Sequence, residues 1–169
     1  AAPWRVNTAS SSIGFTFVYN DEENGPATFN GRFSRWRADI RFDPNDLEHS
    51  VATVSIETAS ASDGVPIHDQ YLPTAEWFNA GANPTATFRT TSIARRGQGY
   101  VAQGTLTIKG HARPVSLPFT LIINGAHASM NGHLTINRRD FGVGNGSDGD
   151  DTISNPINLT IRVEAERGS

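Results

Sequence analysis

Apolar residues recur at every second position over most of the chain. Ile13, Phe15, Phe17 and Tyr19 form the first clear row, followed by Phe29, Gly31 and Phe33, by Ala38, Ile40 and Phe42, and by Ala52, Val54 and Ile56. A period of two buries one face of a strand; a helix would space its apolar positions three and four apart. Later rows are Ala86, Phe88 and Thr90, then Ala102, Gly104, Leu106 and Ile108, and then Val115 through Ile123 on the odd numbers. Ala126 through Ile136 on the even numbers and Ile157 through Ala165 on the odd complete the set. Counted with Trp4 to Asn7, the pattern predicts about eight or nine strands. Asp43-Pro44-Asn45-Asp46 separates two rows with turn chemistry, and Asn124-Gly125 between two long rows is a strong hairpin signal.

Between Ile56 and Pro84 the alternation stops. Pro66 and Pro73 each stand at a plausible first helical position, which predicts two short helices within roughly residues 66–80. Thr74 would cap the second, and Trp77 and Phe78 would turn inward. Many antiparallel strands with one apolar face form either a sandwich or a barrel. Short turns and inner rows that mix large with small residues, as in Phe29-Gly31-Phe33 and Met130-Gly132-Leu134, favour the barrel, the small positions leaving room inside. The expected fold is all-β, an antiparallel up-and-down barrel with a short helical insertion, and a barrel of about eight strands can hold one small ligand.

Composition narrows the function. The 169 residues suit one domain. A net charge of −3 provides no basic surface for nucleic acid, and the absence of cysteine removes disulfides, thiolate nucleophiles and sulfur-ligated zinc. No run approaches the roughly 20 apolar residues of a membrane helix, so a soluble protein is expected. The start Ala1-Ala2-Pro3-Trp4 has no methionine and carries small residues, as a mature chain does after signal-peptide removal. A periplasmic or secreted protein is therefore expected, although a trimmed boundary would look the same.

Candidate chemistry is sparse. No two of the five histidines have the spacing of paired ligands, and His127 and His133 fall on the outward parity of their strand. His49 and His111 sit in or beside turns. The Gly146-to-Asp151 loop gathers three carboxylates but lacks the order of a calcium loop, and Ser147 is not in a nucleophile elbow. No catalytic constellation and no metal site is expected. The Arg138-Arg139-Asp140 stretch reads as an internal ion pair at a corner or as a head-group site, with the structural role favoured.

Several stretches are nonetheless distinctive: Trp4-x-Val6-Asn7, Gly31-Arg32-Phe33, Phe42-Asp43-Pro44, Val54-x-Ile56-x-x-Ala59-Ser60, Trp77-Phe78 and Pro84-x-Ala86-x-Phe88. To these are added Gly104-Thr105-Leu106-Thr107-Ile108-Lys109-Gly110, Pro114-Val115-x-Leu117 and Ile136-Asn137-Arg138-Arg139-Asp140-Phe141-Gly142-Val143. In this order, from Trp4 to Glu166, they resemble the YceI-like family of bacterial polyisoprenoid-binding, lipocalin-like barrels. The family usually carries Arg-Asp-x-His-Leu at the first lid helix, where this chain reads His68-Asp69-Gln70-Tyr71-Leu72.

The resemblance implies non-enzymatic binding, transport or storage of a polyisoprenoid lipid, such as an isoprenoid quinone, with no cofactor required. Alternatives are an accessory that presents a quinone to a membrane electron-transfer partner such as a membrane cytochrome, or a loosely specific amphiphile-binding stress protein. Contact with a membrane would be transient, and either a monomer or a homodimer fits. The expected apolar lining is Phe15, Phe17, Phe33, Phe42, Ile56, Phe88, Leu106, Phe119, Met130, Leu134 and Leu159. Asp69, Tyr71, Leu72, Trp77 and Phe78 are expected at the mouth and lid.

Overall fold

A computed structural model describes residues 3–21, 23–145 and 152–167. The alternating rows become β1 (Pro3–Val6), β2 (Ser12–Asp21), β3 (Gly25–Phe33), β4 (Trp36–Arg41), β5 (Val51–Glu57) and β6 (Ala61–Ser62). They continue as β7 (Thr85–Arg96), β8 (Gly99–Ile108), β9 (His111–Asn124), β10 (His127–Asn137) and β11 (Pro156–Arg167). One short helix, α1 (Pro66–Tyr71), lies between β6 and β7.

The first six segments are three long strands, each broken by a kink. β1 and β2 both run antiparallel to β11, β4 and β3 pair with them in turn, and β5 and β6 pair with β4 and β3. Counted as continuous, they make an eight-stranded up-and-down ring with β7 to β11, closed where β1 meets β11. Side chains satisfy the backbone where the ladder is interrupted. Asn7 Oδ1 accepts from the Ala9 amide at 3.1 Å and Ser11 Oγ donates to the Asn7 carbonyl at 2.6 Å. At the kink between β5 and β6, Thr58 Oγ1 donates to the Asn83 carbonyl and Ser60 Oγ to the Glu57 carbonyl.

The expected rows face inward, in register with one another. Phe15 lies opposite Gly31, Leu106 opposite Phe88, and Leu134 opposite Leu159. A bulge between Thr90 and Ser92 on β7 shifts the inward parity, so that Thr90 and then Ile93 are buried. The outer face of β10 carries His127, Ser129, Asn131, His133 and Thr135, the reverse of a barrel whose apolar side meets lipid. His127, His133, His49 and His111 are all exposed. No helix among the described residues is long and apolar enough to cross a membrane.

Two expectations need correction. The small inner residues do not simply leave room: a Cβ on Gly31 would lie 2.3 Å from the Phe15 ring, and one on Gly104 would lie 2.8 Å from the Phe88 ring. These glycines let a neighbouring phenylalanine lie flat against the wall, so the space is already used. Nor is there a second helix. After α1 the amides of Phe78, Asn79 and Ala80 reach back to the carbonyls of Leu72, Thr74 and Pro73, and Asn79 adopts φ 48°. Adjacent helix positions point roughly 100° apart, so a regular helix could not aim both Trp77 and Phe78 at the barrel, whereas irregular turns can. Thr74 donates its hydroxyl to the Tyr71 carbonyl instead of capping a helix.

Up-and-down connectivity sends alternate connections to opposite ends. The β6–β7 insertion, the Lys109-Gly110 turn, the β2–β3 connection and the β10–β11 connection crowd one end. The start of β1, the end of β11, the β4–β5 loop and two tight hairpins occupy the other. The calcium-loop reading of residues 146–151 falls outside the described residues.

Candidate functional site

The barrel interior contains two cavities in line. The far chamber, about 160 Å³, is bounded by Trp4, Phe42, Phe88, Phe119, Met130 and Ala165, among others. The mouth chamber, about 450 Å³, is bounded by Phe15, Phe17, Phe33, Trp77, Phe78 and Phe141, among others. Ile13, Ile56, Leu106 and Leu159 border both, forming a waist between them. Inward-facing Phe17, Phe119, Leu121, Met130, Leu134 and Leu159 pack against the core yet stay only partly buried, because each also borders a chamber.

The far end is packed with rings. Trp4 donates its indole N–H to the Phe42 carbonyl at 2.9 Å, Phe42 meets Tyr100 edge-on at 5.5 Å, and Tyr100 stacks on Phe119 at 5.4 Å. The guanidinium groups of Arg95 and Arg167 lie over Tyr100 and Trp4. Thr90 is the one non-aromatic polar residue of that chamber's wall, and its hydroxyl accepts from the Ala52 amide at 3.0 Å. Such a surface offers a guest apolar area and little else.

The mouth differs. Tyr71 and Ile67 are exposed at its rim, and His68, Glu76, Tyr19 and Arg138 join the apolar wall. Arg138 is 1% exposed; its guanidinium donates to the carbonyls of Val143 at 3.0 Å and Ile153 at 2.8 Å, holding the β10–β11 connection against the barrel. The Gly144 amide donates to the Glu76 carbonyl at 2.7 Å and ties this connection to the β6–β7 insertion. Gly144, at φ 78°, must lack a side chain, since a Cβ there would stand 2.7 Å from the Trp77 ring. Lys109 Nζ donates to the Gly142 carbonyl at 2.9 Å, and burial of the ammonium lowers its pKa from the ordinary 10.5.

His68 Nδ1 lies 2.6 Å from Asp63 Oδ2, whose side chain is wholly buried, and the imidazole meets the rings of Phe29 and Phe17 at 5.0 and 5.9 Å. Sequence reading missed this pair. The only available signal was a titratable residue at the start of a helix flanked by aromatic strands, and no periodicity points to it. Asp69 is a correction in the other direction. Its carboxylate accepts from Ser62 Oγ at 2.7 Å and from the Asp63 amide at 3.2 Å, fastening α1 to β6, and it does not border the cavity. Every other expected lining residue borders one chamber or both: Phe42, Phe88, Phe119, Met130 and Leu134 the far one, Phe15, Phe17, Phe33, Tyr71, Leu72, Trp77 and Phe78 the mouth. Among the described residues no three His, Asp or Glu converge as metal ligands.

Fold and interior together define a lipocalin-like barrel with a long apolar interior. The chain belongs to the YceI-like domain family, whose model matches residues 4–165. Among its relatives, a UPF0312 protein of Serratia proteamaculans is 30% identical, covering 81% of this chain and 73% of its own. The crystal structure of Burkholderia cenocepacia BcnA superposes with a TM-score of 0.85 at 30% identity, covering 94% of this chain and 98% of its own. A polyisoprenoid binding domain from Saccharophagus degradans, implicated in plant cell wall breakdown, shares the fold at 14% identity, with a TM-score of 0.72 over 99% of both chains.

Proposed function

We propose that the protein binds, without chemical conversion, a polyisoprenoid lipid whose tail lies along the two chambers and whose head stays at the mouth, and that it carries or stores that lipid outside the cytoplasm. The observation that carries this reading is the segregation of the interior: a far chamber with almost no polar contact to offer, joined through an apolar waist to a mouth with several polar side chains. A flexible, branched hydrocarbon tail gains about 25 cal/mol for each Å² it withdraws from water and needs no directed partner. The polyisoprenoid binding domain of Saccharophagus degradans, with the same fold, supports the choice of lipid class. An isoprenoid quinone is one such guest. Extraction of protein purified from its native cells with organic solvent, followed by mass spectrometry, tests the reading. A prenyl lipid near one per chain is expected; only straight-chain lipids in proportion to the cell's pool would overturn it.

A further inference from the structure

At the mouth a buried carboxylate holds one nitrogen of a histidine and, among the described residues, leaves the other unengaged. Asp63 is fully engaged: Oδ1 accepts from the Val65 amide at 3.0 Å and Oδ2 faces His68 Nδ1 at 2.6 Å. Because a carboxylate only accepts, it fixes the proton of the neutral imidazole on Nδ1. The opposite nitrogen, Nε2, then presents a lone pair, and it makes no hydrogen bond among the described residues. The ring is held by Phe17 and Phe29 and keeps about a quarter of its side chain accessible, at 26%, on the wall of the mouth chamber. A carboxylate that pins one nitrogen of an imidazole on the wall of a cavity is the arrangement by which neighbouring groups orient a working histidine.

We propose that His68, positioned by Asp63, is the head-group contact of the guest and selects a head that donates a hydrogen bond: a hydroxylated isoprenoid over its carbonyl counterpart. This rests on the lipid-binding reading above. The hydroxyl could belong to a polyprenol or to a reduced prenyl quinone. A carbonyl oxygen would meet the Nε2 lone pair, and both acceptors would go unpaired.

Binding measured at about pH 8 by quenching of tryptophan fluorescence tests this with two matched pairs. One is geranylgeraniol with its aldehyde; the other is a prenylated hydroquinone with its benzoquinone, the reduced form kept under anaerobic conditions. The hydrocarbon of the same chain length is the reference. The alcohol or hydroquinone should bind about fivefold more tightly than its partner, the worth of one net hydrogen bond. The pair with the larger ratio identifies the source of the hydroxyl. His68→Phe should erase both preferences. Asp63→Asn should reverse them. Its Oδ1 remains on the Val65 amide, so its NH₂ donates to Nδ1 and moves the ring proton to Nε2. Equal or tighter binding of the carbonyl partners by the wild type, or preferences that survive His68→Phe, would overturn the proposal. Failure of every probe, hydrocarbon included, would instead overturn the lipid-binding reading beneath it.

Discussion

The two ends of the barrel are built from the same alternating strands and solve opposite problems. At the far end two of the three connections are tight hairpins, and Trp4, Phe42, Tyr100 and Phe119 pack ring on ring, so the wall there provides apolar area and little else. At the mouth the β6–β7 insertion and the described start of the β10–β11 connection bring His68, Glu76 and Arg138 to the cavity. In the proposed complex the far end sets how much tail is gripped, and the mouth what is admitted and how its head is held. One strand ladder serves both because the chemistry is carried by the connections, which tolerate irregular backbone, while the strands keep their period of two.

The largest expected effect breaks the mouth as a structure. Phe141 is 2% exposed and packs among the inward residues of β2, β3 and β8. Phe141→Ala should cost about 3–5 kcal/mol of stability in urea unfolding. Replacement of a residue at the far end tests the other half. Ala38 borders the far chamber and is only partly buried. Ala38→Phe should fill that space, weakening a long prenyl probe about tenfold, as if two methylene groups were left in water, while a short probe is unaffected. No loss for the long probe would mean that the tail does not reach beyond the waist.

The smallest expected effect lies on the outer surface. His127 Nδ1 lies 2.6 Å from Glu166 Oε1 and Nε2 lies 2.7 Å from Glu164 Oε2, clamping β10 to β11. These hydrogen bonds, Glu166 first, raise the His127 pKa above its ordinary 6.5. Ser129 and then His127 lower that of Glu164 below 4.5. A raised histidine contributes fully below pH 6.5 and loses its contribution as the pH climbs through its folded value. A lowered carboxylate contributes above pH 4.5 and loses its share as the pH falls through its folded value. The clamp is thus strongest between these values. His127→Gln should lower the melting temperature slightly at about pH 5.5, with the difference from wild type shrinking toward pH 9; a constant difference would contradict the linkage.

The strands were legible because a buried face leaves a periodic trace, and this holds from Ile13 through Ala165. The kinks at Thr8–Ser10 and Thr58–Ser60 were not, since side chains of Asn7, Ser11, Thr58 and Ser60 replace ladder bonds without changing the apolar rhythm. Gly31 looked like a gap because a sequence does not say which ring lies over a glycine. The apolar lining was readable from parity. The polar mouth was not: Asp69 looked available and is tied to Ser62, while Asp63 and His68 come together through a short loop and the first turn of α1. Arg138 was readable as structural, although its partners include backbone carbonyls across the β10–β11 connection.

Met130 gives the most direct test of the whole arrangement. It is the single methionine of the chain and borders the far chamber, so a ¹³C-methyl-methionine sample yields one resonance from deep inside the barrel. On saturation with a long prenyl alcohol that resonance should shift and show nuclear Overhauser contacts to the methyl groups of the tail's far end, and none to the head. A Met130 signal unchanged at saturation, or contacts to the head group, would contradict a tail buried in the far chamber with its head at the mouth.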